Sequence, residues 1–117
     1  MIYGIGIDIV DVSRFGAAME RRGEGFLKRL FTDAELGYCR TKRRPERHLA
    51  ARFAAKVSLF KAIGRFAGFK EVEVMRAQSG APFFRVSFEP EGAMRYSLSI
   101  SHTDKYGVAE TIVEKDI

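Results

Sequence analysis

The chain opens with Ile2-Tyr-Gly-Ile-Gly-Ile-Asp-Ile-Val-Asp-Val12, and the rest of the fold is organised around this segment. One of its faces carries only bulky apolar side chains, at positions Tyr3, Ile5, Ile7 and Ile9. The other face carries Gly4 and Gly6 next to Asp8. Alternation with a period of two predicts a β-strand. Because glycine weakens a strand unless another group must approach closely, we expect a ligand to have room beside Asp8.

Three helices are predicted to follow this strand. Ser13 is a candidate N-cap for a short helix that ends near Gly23. Thr32 and Glu35 have the spacing of a capping box, which opens a second helix. The longest helix is predicted over residues 46–63 and is closed by the glycine that follows. Its apolar side chains recur at helical spacing, at positions Leu49, Phe53, Val57, Phe60 and Ile63.

The second half of the chain is predicted to be rich in strands. Glu71–Arg76 and Phe83–Phe88 flank a turn and form a hairpin-like pair, and Glu89–Gly92 forms a further turn. Strands are also predicted over residues 95–101 and 107–113. A strand, then helices, then an antiparallel meander is the order of an α+β domain. We therefore expect an antiparallel sheet packed against a long helix and shorter helices.

Length and composition limit the classes of protein. At 117 residues the chain fits one domain, residues 1–117. Its one cysteine, Cys39, rules out an internal disulfide and indicates a reducing compartment. The N-terminus lacks the basic region of a signal peptide, and no apolar run approaches the ~20 residues of a membrane helix. We therefore expect a cytoplasmic protein that does not enter a membrane.

Charge is spread unevenly along the chain. Residues 14–65 contain 14 Lys and Arg against 5 Asp and Glu, whereas the remainder contains 6 against 10. A segment this basic indicates either a solvated helical surface or an acidic partner, such as a nucleic acid, a membrane, a phosphorylated ligand or an acidic protein. The basic residues lie on predicted helices and not among the Phe-rich strands. This distribution argues against a nucleic-acid-binding sheet.

A small set of polar residues could carry chemistry. Asp8 lies on the glycine-bearing strand face, Arg52, Lys56 and Lys61 lie on the longest helix, and His102 follows a serine-rich strand. Cationic side chains with a histidine suit phosphate binding, and an isolated carboxylate suits a magnesium ion held jointly with substrate phosphates. Each residue also has an ordinary structural interpretation. Asp8 could be a strand-end turn residue, His102 a loop histidine, and the lysines a solvated helix face.

Five motifs give the chain a family resemblance. They are Gly4-Ile-Gly-Ile-Asp-Ile-Val-Asp11, Phe31-Thr-Asp-Ala-Glu-Leu36, Ala51-Arg-Phe-Ala-Ala-Lys56 with Lys61-Ala-Ile-Gly64, Gly80-Ala-Pro82, and Ser101-His-Thr103. In this order and spacing, which covers essentially the whole chain, the sequence resembles the holo-acyl-carrier-protein synthases.

The resemblance implies an activity and an assembly. Members of this family transfer the phosphopantetheine arm of coenzyme A to a serine of apo-acyl carrier protein, an acidic protein, and release 3′,5′-ADP. They use magnesium and assemble as homotrimers whose active sites lie between neighbouring subunits. The expected reaction is therefore a phosphoryl transfer, in which charge that develops on the leaving phosphate must be neutralised.

The resemblance also implies roles for individual residues. Asp8 would be the first metal ligand, and Asp8, Lys61 and His102 would form the catalytic group. Contacts with coenzyme A would come from Lys56, Lys61, Gly64, Gly80, Pro82, Ser101, His102 and Thr103. The basic surface that receives the carrier protein would include Arg14, Arg21 and Lys28.

Two positions depart from the family pattern. Val57 stands where the family has the glutamate that supplies the second carboxylate to magnesium, and valine offers no oxygen ligand. Waters and coenzyme A oxygens could complete the coordination, or Glu110 could replace the missing ligand. The alternative is a catalytically impaired member that binds coenzyme A or the carrier protein without efficient transfer. The smaller departure is Ala81, where relatives often carry lysine.

Overall fold

The computed structural model describes residues 1–88 and 93–116. Within them the chain forms five strands, three α-helices and one short 3₁₀ helix. In chain order these are β1 (Ile2–Asp11), α1 (Val12–Leu30), α2 (Asp33–Arg40), α3 (Pro45–Ile63), the 3₁₀ helix (Phe69–Glu71), β2 (Val72–Arg76), β3 (Pro82–Val86), β4 (Arg95–His102) and β5 (Tyr106–Glu114). The turn predicted over Glu89–Gly92 lies outside the described residues.

The strands form two antiparallel sheets. The first has the order β1-β5-β4, so the last strand lies between the first strand and β4. The second sheet is the β2–β3 hairpin, which pairs from Val72 with Val86 to Arg76 with Pro82. The predicted α+β class, with antiparallel strands against a long helix, is confirmed. The hairpin, however, forms a sheet of its own and does not extend the first sheet as one meander.

Helix α3 lies directly against the first sheet, and glycines make this approach possible. A Cβ atom at Gly4 would lie 1.9 Å from the Ala62 carbonyl oxygen, and one at Gly6 would lie 1.9 Å from the Ser58 carbonyl oxygen. The bulky face of β1 points the other way and is exposed. The expectation that the glycines leave room for a ligand is therefore wrong, because the backbone of α3 occupies that space.

The helix ends follow capping rules, with one difference from the prediction. Asp11, and not Ser13, is the N-cap of α1, because β1 continues to Asp11 and its carboxylate accepts the Arg14 backbone N–H at 2.9 Å. Gly23 has φ 75° and breaks α1 near the predicted end, but the chain returns to helix until Leu30.

The other predicted helix ends are confirmed. The capping box of Thr32 and Glu35 is present at the start of α2. Gly64 ends α3 with φ 80°, a left-handed conformation that favours glycine. Among the described residues, no helix has the length and apolar character needed to cross a membrane.

Candidate active site

An ion pair joins β1 to α3 at the centre of the candidate site. Lys61 Nζ donates to Asp8 Oδ1 at 3.2 Å and to the Ile7 carbonyl oxygen at 2.9 Å. The Asp8 side chain is 18% exposed, whereas the Lys61 side chain is 54% exposed. The strand therefore supplies a partly shielded carboxylate, and the last turn of the helix supplies an ammonium that remains open to solvent.

A surface cavity of about 560 Å³ lies beside this pair. Asp8 and Asp11 line it from β1, and Arg14 and Arg21 line it from α1. The Asp11 carboxylate is already used as the cap of α1. Lys61, which pairs with Asp8 beside the cavity, adds a third cation to the two arginines and two aspartates that line it. Such a site suits an anionic ligand.

Val57 lies on α3 near this cavity but is not among the residues that line it. It follows Phe53, which lines the cavity, by one helical turn and precedes Lys61 by one turn. The valine is half-buried and provides no ligand for a metal ion. Within residues 1–88 and 93–116, no three side chains of metal-binding type cluster together. The residues present therefore do not fit a magnesium ion held by the protein, because Asp11 caps α1 and the one other cavity carboxylate, Asp8, is paired with Lys61.

His102 lies at the far edge of the three-stranded sheet. It pairs with Gly107, which in turn pairs with Val10 of β1. Two strand spacings, about 10 Å, therefore separate the backbone at His102 from β1. The His102 ring contacts His48 of α3, with the ring centroids 5.3 Å apart. Burial lowers the pKa of His48, and the charges of His102 and Arg52 lower it further.

The other predicted coenzyme A contacts lie on several elements. Gly64 follows the helix that carries Lys61, whereas Gly80 and Pro82 lie in and just after the β2–β3 turn. Ser101 is exposed near the end of β4. Thr103 Oγ1 accepts two backbone N–H groups of the β4–β5 turn. The fold therefore brings Asp8 and Lys61 together but does not bring His102 to them within one chain.

Two of the three predicted carrier-protein contacts share the cavity of Asp8. Arg14 and Arg21 both line it. Lys28 lies beyond the break at Gly23, exposed in the last turn of α1.

A family model described as the 4′-phosphopantetheinyl transferase superfamily matches residues 4–111. The holo-[acyl-carrier-protein] synthase of Halothermothrix orenii is 37% identical over an alignment of 124 positions, which covers 98% of this chain and 99% of that protein. The synthase of Trichlorobacter lovleyi is 40% identical over 126 residues, with 97% and 98% of the two chains covered. The chain belongs to the holo-[acyl-carrier-protein] synthase family.

Solved structures of the same family have the same fold. The synthase from Neisseria meningitidis matches with a TM-score of 0.89 and 33% identity, and covers 98% of this chain and 100% of that chain. The synthase from Bacillus anthracis, solved in complex with coenzyme A (3′,5′-ADP), matches with a TM-score of 0.86 and 30% identity. The alignment covers 99% of both chains.

Lys56 belongs to the core of this chain. Its side chain is wholly buried, and Nζ donates to the Leu30 carbonyl oxygen at 2.8 Å, to Glu35 Oε1 at 2.7 Å and to the Phe69 carbonyl oxygen at 2.9 Å. Burial lowers the pKa of Lys56, and Glu35 offsets part of that effect. The prediction that Lys56 contacts coenzyme A is wrong, because all three of its N–H groups already have protein acceptors.

The register of the sheet excludes Glu110 as a replacement ligand within the chain. Glu110 pairs with Ile7, whereas Asp8 pairs with Ala109. Directly paired residues point to the same face of a sheet, so Glu110 projects from the exposed face with Ile7. Asp8 projects towards α3. The proposed substitution of the missing family ligand by Glu110 is therefore wrong.

Sequence reasoning missed a second cationic pocket of the chain. Arg52 is 3% exposed, its guanidinium lies 4.5 Å from the centre of the Tyr38 ring, and its Nε atom has no hydrogen-bond partner among the described residues. Burial raises the pKa of Tyr38, but a hydrogen bond from Lys42 and the charge of Arg76 outweigh it, so the pKa is lowered. The pocket could not be recognised from spacing because α2, α3 and β2 each contribute to it.

Proposed function

We propose that this chain transfers the phosphopantetheine group of coenzyme A to a serine of apo-acyl carrier protein and releases 3′,5′-ADP. The observation that carries this proposal is the contact between Asp8 and Lys61. It joins two motifs of the synthase family, 53 residues apart, at the edge of a cationic cavity. A diphosphate is the kind of ligand that such a cavity binds.

The reaction places separate demands on these residues. The serine oxygen attacks the phosphorus that carries pantetheine, and the bond from that phosphorus to the bridging oxygen breaks. Lys61 would bind a phosphate oxygen and stabilise the charge that develops on the departing 3′,5′-ADP. Asp8 holds Lys61 in place and is the cavity carboxylate that can receive the serine proton. Magnesium enters no step here, because the residues present do not fit a protein-held ion.

The contacts with coenzyme A are proposed to come from two neighbouring subunits. His102 lies about 10 Å from β1 within the chain, too far for one phosphate to bridge it to Lys61. Gly64 would contact the ligand from the Lys61 side. Gly80, Pro82, Ser101 and Thr103 would contact it with His102 from a second copy. A homotrimer, the assembly implied by the family resemblance, would complete each site in this way.

The exposed face of β1 and β5 supports this assembly. Its large apolar side chains are more than half exposed at Ile5, Ile7 and Ile9. Val108 and Ile112 of β5 pair with two of them across the sheet. Glu110 stands opposite Ile7 on the same face, so a carboxylate interrupts the apolar surface there. A largely apolar, exposed sheet face is typical of a surface that another protein chain covers. The occupant we propose is a further copy of this chain.

Replacing Ile7 with aspartate is expected to prevent assembly. Full burial of an isoleucine contributes about 1.5–3 kcal/mol, and a carboxylate in an apolar interface opposes association further. Light scattering after gel filtration should show a trimer for the wild type and a monomer for Ile7→Asp. Phe66→Asp is the matched control, because Phe66 is also an apolar side chain that is more than half exposed but does not belong to a strand. A monomeric wild type would contradict the assembly.

The basic surface of α1 is proposed to receive the acidic carrier protein. Arg14 and Arg21 lie at the cavity and Lys28 lies further along the helix. Charges at the rim of an interface mainly raise the association rate and make it sensitive to salt. We place the reaction in the cytoplasm. The one cysteine, Cys39, is free and buried, which agrees with a reducing compartment.

The mass of apo-acyl carrier protein tests the transfer directly. Incubation with the wild type and coenzyme A should add one phosphopantetheine group. Asp8→Asn should slow this gain by at least about 100-fold, because the variant loses the ion pair and the proton acceptor. Asp116→Asn is the matched control, since Asp116 is a surface carboxylate that pairs with Arg95. Binding of coenzyme A without any gain of mass would favour the second candidate, an impaired member, which Val57 suggests.

A further inference from the structure

We propose that the Lys61 ammonium takes the place of a divalent cation at Asp8, so that this chain binds and uses coenzyme A without magnesium. The inference rests on the proposed function and concerns the charge of the same site. The family resemblance implies a magnesium ion at Asp8, but the residues around Asp8 in this chain do not suit one.

The geometry gives the carboxylate a cationic partner supplied by the protein. Lys61 Nζ lies 3.2 Å from Asp8 Oδ1 and 2.9 Å from the Ile7 carbonyl oxygen. An ammonium has three N–H groups, and these two contacts use two of them. The third remains for a ligand, and the lysine side chain is 54% exposed on the side of solvent. Lys61 can therefore hold Asp8 and a phosphate oxygen at the same time.

The charge of the cavity favours an anion over a dication. Arg14, Arg21 and Lys61 supply positive charge around Asp8. The other lining carboxylate, Asp11, accepts a backbone N–H as the cap of α1. Asp11 keeps its negative charge when it accepts this bond, so the three cations and two carboxylates leave one net positive charge around Asp8. This net charge favours a diphosphate over a magnesium ion. Arginine and lysine together can neutralise phosphate oxygens by charge-assisted hydrogen bonds.

Val57 is the residue that keeps the net charge around Asp8 positive. It lies one helical turn from Lys61 and one turn from the cavity residue Phe53. A glutamate at this position would lie one helical turn from Lys61 and would offset one positive charge beside Asp8. Two carboxylates around one point provide the oxygen ligands that a hard cation requires. The valine therefore removes both the ligand and the negative charge that would recruit a metal ion.

The transfer remains balanced without the metal ion. A bond forms between the serine oxygen and the phosphorus that carries pantetheine, and the bond from that phosphorus to the bridging oxygen breaks. The bridging oxygen leaves with 3′,5′-ADP. Lys61 keeps its protons and donates a hydrogen bond to the phosphate that leaves. The serine proton passes to Asp8 and from there to solvent.

Calorimetric titration with coenzyme A tests the inference by binding alone. For the wild type, we expect dissociation constants in EDTA and in magnesium that agree within about 2-fold. Val57→Glu should bind at least about 10-fold more weakly in EDTA than in magnesium. Val57→Gln is the matched control, because it adds a polar side chain of similar size without charge, and it should behave as the wild type does. Lys61→Met should weaken binding by at least about 10-fold in both buffers.

Two results would overturn the inference, and they can be told apart. If EDTA weakens binding to the wild type by at least about 10-fold, the chain needs the metal ion and only this inference fails. If the folded wild type binds no coenzyme A in either buffer, the proposed function fails with it. Circular dichroism of each variant confirms that weakened binding does not come from unfolding. The carrier-protein mass assay in EDTA then shows whether transfer follows binding.

Discussion

Replacing Lys56 with methionine should destabilise the protein by about 3–5 kcal/mol, a large share of the ~5–15 kcal/mol that stabilises a domain of this kind. Methionine fills similar space but leaves Glu35 as a buried carboxylate without its cation. The carbonyl oxygens of Leu30 and Phe69 also lose their donor. Urea denaturation followed by circular dichroism measures the free energy of unfolding.

The same substitution at Lys61 provides the control for stability. Lys61 lies on the same helix but is 54% exposed, and an exposed ion pair contributes only about 0–1 kcal/mol. Lys61→Met should therefore leave the urea midpoint nearly unchanged. If Lys56→Met and Lys61→Met shift the midpoint equally, the buried ion pair is not what joins these elements.

The contacts of Glu35 include one that the sequence predicts and others that it does not. Its spacing from Thr32 was sufficient to predict the capping box, because both residues lie within one helical turn. The same carboxylate also accepts Lys56 at 2.7 Å and the Val74 backbone N–H at 2.7 Å. These partners lie 21 and 39 residues away. No local pattern reports such contacts. The motif that contains Lys56 therefore predicts a contact with coenzyme A, although the side chain stabilises the core.

The sequence also does not predict which face of β1 is buried. Its alternation predicted a strand and separated its two faces correctly. Which face would be buried depended on the approach of α3, and the Ala-rich side of that helix accepts only a strand without Cβ atoms there. The bulky face, with Ile7 and Ile9, is consequently the exposed one.

The sequence predicts the part of the candidate site that lies within family motifs. It does not predict the part that depends on the register of strand pairing. Asp8 and Lys61 come from separate motifs and do meet at 3.2 Å. The sequence alone allows Glu110 to lie near Asp8, because both residues belong to strands that can pair. A shift of one residue in pairing moves a side chain to the opposite face. The observed register, Ile7 with Glu110, moves it away from Asp8.

Gly6→Ala is expected to destabilise the protein by about 3 kcal/mol or more, because overpacking here is against backbone. The new Cβ atom would lie 1.9 Å from the Ser58 carbonyl oxygen and 2.8 Å from the Ala62 backbone nitrogen. Neither group can rotate away, so β1 must move off α3. Gly37→Ala is the control, since an exposed helical glycine with open space should gain about 0.5–1 kcal/mol. Urea midpoints that rise for both variants would contradict the close approach of β1 and α3.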